Sequence, residues 1–327
     1  MPRAFVTGIT GQDGGYLAEQ LLGEGTEVHG MVRAGDDDAV RDLLARTPGV
    51  VLHDGDLGDA EGLRRLIADV GPDEIYNLAG ISSVAFSWAE PVLTAQLSGV
   101  AAATVLDAAW RLQEDTGRKV ACLQPSSAEI FGHADSWPQD ESTPVRPVSP
   151  YGAAKAYAHH IAGVYRGRGL HVATCILFNH ESPRRPLAFV TRKITAAAAQ
   201  IGAEGFGVIR LGNLDARRDW GWAPDYVDAM VRSVRHEAAS DYVVATGQTH
   251  TVAEFAEAAL RRAGVGDSWR DHVEVDPEFL RPNEAPILVG DASKARRELG
   301  WKPTAAFDEV VGRMVDHDME LLKRGKA

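Results

Sequence analysis

Short apolar strands alternate with helix-length stretches through the first half of this chain, and that rhythm constrains the fold more than any other feature. Arg3 to Thr7 reads as a strand, and a helix is predicted from about Asp13 to a stop at Gly23–Gly25. Further strands are predicted at Val28 to Val32, Val50 to His53, Glu74 to Leu78, Val120 to Leu123 and Val172 to Phe178. Helices are predicted between them at 36–46, 59–69, 91–114 and 150–168. Parallel strands need such crossovers, and the crossovers cover both faces of the sheet. After Phe178 the rhythm breaks into loops rich in Arg, Pro and Gly, with short helices, as expected of a smaller ligand-binding lobe. A last helix, Phe307 to Lys323, sets Phe307, Val310, Val311, Met314 and Val315 at helical spacing.

Gly8, Gly11 and Gly14 follow the first strand at three-residue spacing and open the first helix. Glycines there let the backbone approach a pyrophosphate, while the helix N-terminus supplies amides and positive potential. The expectation is α/β: a Rossmann-like doubly wound parallel sheet over 1–178, with part of 222–248 returning to it. A smaller C-terminal substrate-binding lobe then comprises 179–221 and 249–327. Thr10, Gln12 and Asp13 complete the cofactor turn. Arg33 closes the second strand, where a guanidinium suits a ribose 2′-phosphate, so NADP is favoured over NAD. The nearby Asp36-Asp37-Asp38 reads as a solvated, acidic helix start and weakens that preference. Asp56 and Leu57 would lie beside the adenine, and Asn77, Leu78, Ala79 and Gly80 along the ribose and nicotinamide channel.

Chemistry is signalled by Ser127 and Glu129, followed by Tyr151 and Lys155. Tyr and Lys four apart share one helix face. At about 4 Å and an effective dielectric near 20, the cation favours phenolate by roughly 4 kcal/mol, about 3 pK units. Tyr151 is therefore expected to act as a base near neutral pH. Glu129 adds a second acid/base that plain hydride transfer does not need, which points to oxidation coupled to elimination or epimerisation. The formal charge of −12 argues against nucleic acid, although Arg184, Arg185, Arg192, Lys193, Arg217 and Arg218 could meet an anionic ligand. Cys122 and Cys175 lie in apolar runs and read as buried free thiols. No signal peptide or apolar run of membrane length is read, so a cytoplasmic enzyme without a membrane partner is the expectation. His53 and His159-His160 read as ordinary strand and helix histidines, and no metal is expected.

Longer strings are more specific. Thr7 to Gly14, Phe178 to Arg185, Phe189 to Ile194 and Gly212 to Gly221 make the chain resemble the GDP-mannose 4,6-dehydratase family of extended short-chain dehydrogenase/reductases over nearly its whole length. Arg281-Pro282 and Leu299 to Pro303 extend the likeness. The resemblance implies Ser127, Glu129, Tyr151 and Lys155 as catalytic residues and adds His180 and Arg185 to the cofactor set. It implies a sugar-nucleotide set of Ser83, Asn179, Val190, Lys193, Arg218, Arg281 and Glu284, with Arg184, Arg185, Arg218 and Lys193 clamping the diphosphate. Departures are Ala128, where the family usually has a polar residue, Ile81 and Ser83 in place of Gln and His, Ala34 in place of a second Arg, and a shorter 34–50 loop.

The implied reaction converts GDP-mannose, or a related nucleotide sugar, to a 4-keto-6-deoxy sugar by internal hydride transfer. Rivals are dehydration of another nucleotide sugar, a 4-reductase or epimerase, and an idle dinucleotide sensor. Alanines at 101–103, 108–109, 153–154, 156 and 158 lead us to expect close helix pairing into a homodimer, with a homotetramer as the larger alternative.

Overall fold

The computed structural model describes residues 1–280 and 283–325. From the N-terminus run β1 (Arg3–Thr7), α1 (Gln12–Gly23), β2 (Glu27–Val32), α2 (Asp37–Arg46), β3 (Val51–Asp54), α3 (Ala60–Val70) and β4 (Glu74–Asn77). Next come α4 (Val84–Ala89), α5 (Pro91–Ala95), α6 (Ala101–Thr116), β5 (Ala121–Leu123), β6 (Ser126–Ser127), α7 (Pro150–Gly167) and β7 (His171–Leu177). The second half begins with β8 (Asn179–Glu181), α8 (Val190–Glu204), β9 (Ile209–Leu211), β10 (Arg217–Arg218), β11 (Trp220–Trp222), α9 (Ala223–Arg235) and β12 (Asp241–Val244). It ends with β13 (His250–Thr251), α10 (Val252–Arg262), β14 (Val273–Val275), β15 (Ile287–Leu288), α11 (Ser293–Leu299) and α12 (Phe307–Lys323).

The main sheet has the order β12-β7-β5-β4-β1-β2-β3, with β6 beside β7 and every pairing parallel. The doubly wound sheet is thus present. Its central strands are buried on both faces, which is why Ala4, Phe5 and Val6 form an unbroken apolar run with no exposure. One face is covered by α1 and α9 through Leu17, Leu21, Val227 and Met230. The other is covered by α3 and α6 through Leu63, Ile67, Val105 and Leu106. A separate apolar cluster joins α8, α10 and α12 through Ile194, Ala198, Phe255, Val311 and Met314. Strand order reverses between β1 and β4, which opens a crevice at the carboxyl ends of those strands.

Two expectations need correction. Pro91–Thr116 forms one helical run, α5 joined to α6 by a π turn at Gln96–Val100, and it is long and apolar enough to cross a membrane. Its most apolar window is 56% buried within the protein, as in a core helix. The alanines expected to make an outward pairing face mostly point inward: Ala101, Ala102, Ala108, Ala109, Ala154, Ala156 and Ala158 are buried. The outward side chains on these helices are instead Val92, Val100, Tyr157 and Val164. Cys122 and Cys175 are buried free thiols whose ionisation burial pushes up. Among the described residues, no group of three or more His, Cys, Asp or Glu is placed to hold a metal.

Candidate active site

A cleft of about 1220 Å³ lies at the strand-order reversal and is walled on its far side by the second half of the chain. Its floor is backbone. Gly8 has φ +68°, and a Cβ there would stand 2.7 Å from the Ala79 amide nitrogen. A Cβ on Gly14 would stand 2.3 Å from the Gly8 carbonyl oxygen. Only glycine fits either position, so the first turn, the start of α1 and the loop after β4 meet backbone to backbone. That cradle, with helix amides facing it, fits a dinucleotide's pyrophosphate. Thr10, Gly11, Leu78 and Gly80 line the same end.

Beneath the cradle, Gln12, Asp13, His180 and Ser182 bond to one another. His180 Nε2 lies 2.9 Å from an Asp13 carboxylate oxygen, and Nδ1 lies 2.7 Å from the Phe178 carbonyl. Two acceptors favour the imidazolium. Although burial opposes the charge, Asp13 raises the pKa of His180, and His180 in turn lowers that of Asp13. Gln12 donates to Asp13 and to the His180 carbonyl, and it accepts from the Ser182 hydroxyl at 2.8 Å. His180 also stacks on Tyr226.

The proposed reacting groups converge at one wall. Ser127 ends β6 and accepts the Glu129 amide at 3.2 Å, starting the turn that carries Glu129. The Ser149 hydroxyl caps α7, and Pro150 occupies its first turn, so Tyr151 sits at the helix entrance with Lys155 one turn on. The Ser127 hydroxyl faces the Tyr151 phenol closely enough to lower its pKa. The expected depression of the phenol's pKa is corrected: burial pushes Tyr151 up to about 12, against which Ser127 works only in part. Burial also pulls Lys155 down to about 8. Desolvation disfavours phenolate and ammonium alike, and it is the leading cause of both shifts. The Lys155 ammonium donates to the Pro125 carbonyl at 2.7 Å.

Other positions divide clearly. Arg33 and Asp36 lie at the outer end of the cradle, and Asp56 accepts the Gly58 amide at 2.7 Å beside Leu57. The Ser83 hydroxyl caps α4 at the cleft wall. Across the cleft, Lys193 donates to the Arg210 carbonyl at 2.7 Å and lies 3.6 Å from the centre of the Phe279 ring. Arg218 donates to Glu284 at 2.9 Å, and Asn179 and Val190 complete this wall. Arg185 lines the cleft but also faces the buried Glu181 and the Phe189 ring. Arg184 is a correction. It lies outside the cleft, bonded to Glu19 at 2.7 Å and stacked on Tyr16, so it does not join a diphosphate clamp. Arg281 falls outside the described residues.

Three contributing residues were not read from the sequence. Gln124 donates to the Pro125 carbonyl and accepts from Asn77, which in turn accepts from Thr7, so a buried polar chain leads from β1 to the carbonyl that holds Lys155. Ser98 both accepts from and donates to the backbone of Ile81. Asp219, buried beside Arg218, gathers the amides of Thr246 and Gly247 and the Thr246 hydroxyl. A polar residue directly after an apolar strand, as at Gln124 after β5, was the available signal.

A glycine cradle joined to a Ser, Glu, Tyr and Lys constellation defines an extended short-chain dehydrogenase/reductase acting on nucleotide sugars. The family model for GDP-mannose 4,6 dehydratase matches residues 5–314, and the chain belongs to that family. It is 46% identical to GDP-mannose 4,6 dehydratase 1 of Arabidopsis thaliana, over 99% of this chain and 91% of that protein. Among solved structures, a UDP-glucose 4-epimerase of Thermus thermophilus in complex with NAD superposes with a TM-score of 0.83 at 27% identity, covering 97% and 98% of the two chains. A dTDP-glucose 4,6-dehydratase of Streptomyces venezuelae with NAD bound superposes with a TM-score of 0.82 at 25% identity, covering 99% and 98%.

Proposed function

We propose that the protein removes water from GDP-mannose, leaving a 4-keto-6-deoxy nucleotide sugar, and that the residues named below carry the reaction. The family's chemistry is that of a hydro-lyase working with a nicotinamide cofactor. The observation that carries the assignment to this site is the placing of Glu129 beside the Ser127, Tyr151 and Lys155 group in one cleft. A 4-reductase, or an epimerase that only passes hydride at C4, does not require that carboxylate. A nicotinamide cofactor held by the glycine cradle would supply a reversible hydride acceptor for the sugar, so that no external reductant would be consumed. For Tyr151 to accept the C4 hydroxyl proton, bound ligand must offset the burial that raises its pKa, and Ser127 hydrogen-bonds the same oxygen. Lys155 supplies a cation beside the phenol. The ketone acidifies C5, and Glu129 removes that proton. Ala128 is apolar and buried, so Glu129 also protonates the departing C6 hydroxyl, which leaves as water, and the proton held on Tyr151 returns to C5. Incubation with GDP-mannose and no reductant should yield a product lighter by one water. An unchanged mass would remove the dehydratase reading.

The cofactor set comprises the glycine cradle, Asp56, His180 and Arg185, with Arg33 selecting NADP over NAD. Asn179, Val190, Lys193, Arg218 and Glu284 hold the nucleotide. Residues 1–178, with part of 222–248, act as the cofactor domain, and 179–221 with 249–327 as the sugar lobe. The protein works as a homodimer through the outward Val92, Val100, Tyr157 and Val164, which are 47–70% exposed in the single chain. A monomer mass by light scattering at micromolar concentration would overturn the dimer.

A further inference from the structure

We propose that Asp36 is a specificity-determining residue that holds Arg33 back from the ribose 2′-phosphate and so reduces, without abolishing, the protein's preference for NADP over NAD. This rests on the reading of Arg33 as the 2′-phosphate partner. Gly35, at φ +92°, turns the chain directly after β2, and the Asp36 amide bonds back to the Arg33 carbonyl at 3.3 Å. Arg33 and Asp36 thereby come to the same outer end of the cleft. Asp36 is the N-cap residue of α2, a position where a carboxylate ordinarily accepts amides of the first helical turn. Here it makes no such bond. It accepts instead from the Arg33 guanidinium at 3.3 Å. Arg33 is 72% exposed along its side chain, while Asp36 is the more sheltered partner at 32%.

The guanidinium therefore has two claimants. A bound 2′-phosphate must draw Arg33 off Asp36, and part of the charge-assisted contact offsets the broken pair. NAD brings a hydroxyl at the same place and leaves the ion pair intact. Asp37 and Asp38 remain in the first turn of α2, so neutralising Asp36 leaves acidic partners for the helix N-terminus. Asparagine caps helices as well as aspartate does, so Asp36→Asn keeps the local fold.

The test is direct titration of NADP and of NAD, followed by tryptophan fluorescence or calorimetry, on the native protein, Asp36→Asn, Arg33→Ala and the double variant. Expected is a tightening of NADP by about threefold to fivefold in Asp36→Asn, the size of an exposed ion pair, with NAD unchanged. That gain should shrink with added salt and vanish in the double variant. Unchanged or weaker NADP binding in Asp36→Asn overturns the proposal, as does a gain that survives loss of Arg33. If Arg33→Ala leaves NADP binding intact, the 2′-phosphate reading of Arg33 is the part that fails.

Discussion

The two walls of the cleft solve opposite problems. On the cofactor side, recognition is written in backbone, and the polar side chains beneath it already have their partners, as in Asp13 with His180 and Gln12 with Ser182. On the sugar side, recognition rests on cations parked against the protein's own acceptors, Lys193 on the Arg210 carbonyl and Arg218 on Glu284. The first wall is preorganised and costs little to use. Under the proposed function, the second would exchange internal partners for a diphosphate on each turnover, which would suit a substrate that comes and goes. The reacting groups sit at the seam between them.

The largest effect should come at that seam. Glu129→Gln is expected to bind cofactor and GDP-mannose normally and to lose at least about two orders of magnitude in turnover, the usual loss for an absent general base. Near-native turnover would show that elimination is driven from elsewhere.

The contrast between the walls is sharpened by a pair of variants. Gly8→Ala forces a Cβ against the Ala79 amide in a left-handed conformation, a strain of about 1–3 kcal/mol. Cofactor affinity should fall about tenfold while GDP affinity holds. Lys193→Ala should do the reverse, weakening GDP about tenfold and sparing the cofactor, since a charge-assisted bond is worth about 1.5–3 kcal/mol. If both variants weaken both ligands equally, the walls are not independent.

The smallest effect is a pH limb. Burial lowers Lys155 to about 8, so its ammonium is present below that pH and is lost as pH rises through it. Turnover that depends on the cation should decline above about pH 8. In Lys155→Met, residual turnover should show no such decline, and persistence of the limb would assign it to another group.

Much of this was legible beforehand because it is written in local chemistry. The glycine spacing, the strand–helix rhythm and the Tyr-to-Lys spacing each follow from a few consecutive residues; the sheet came out as read, and Ser127, Glu129, Tyr151 and Lys155 line one cleft. What failed depended on surroundings. The pKa of Tyr151 is governed by how much water is excluded, which no pair of residues reveals. Arg184 looked like part of a clamp, but it is drawn off by Glu19 and Tyr16, residues 165 and 168 positions earlier in the chain. The inward turn of the alanines on α6 and α7 is likewise set by packing partners rather than by the alanines.

The π turn at Gln96–Val100 has a consequence for how the molecule tolerates change. Gln96 and Leu97 reach the cleft, Ser98 grips Ile81, and Val100 already faces outward. One surplus residue in that turn lets a single rod serve an interior task at one end and a surface at the other. Removing one residue there would swing everything downstream by about 100°. Val100 and the helix beyond it would leave their present face, while Ser98 lost its hold on Ile81. Single-residue deletions should therefore be far less welcome at this turn than side-chain substitutions, since a change of length here alters both ends of the rod at once.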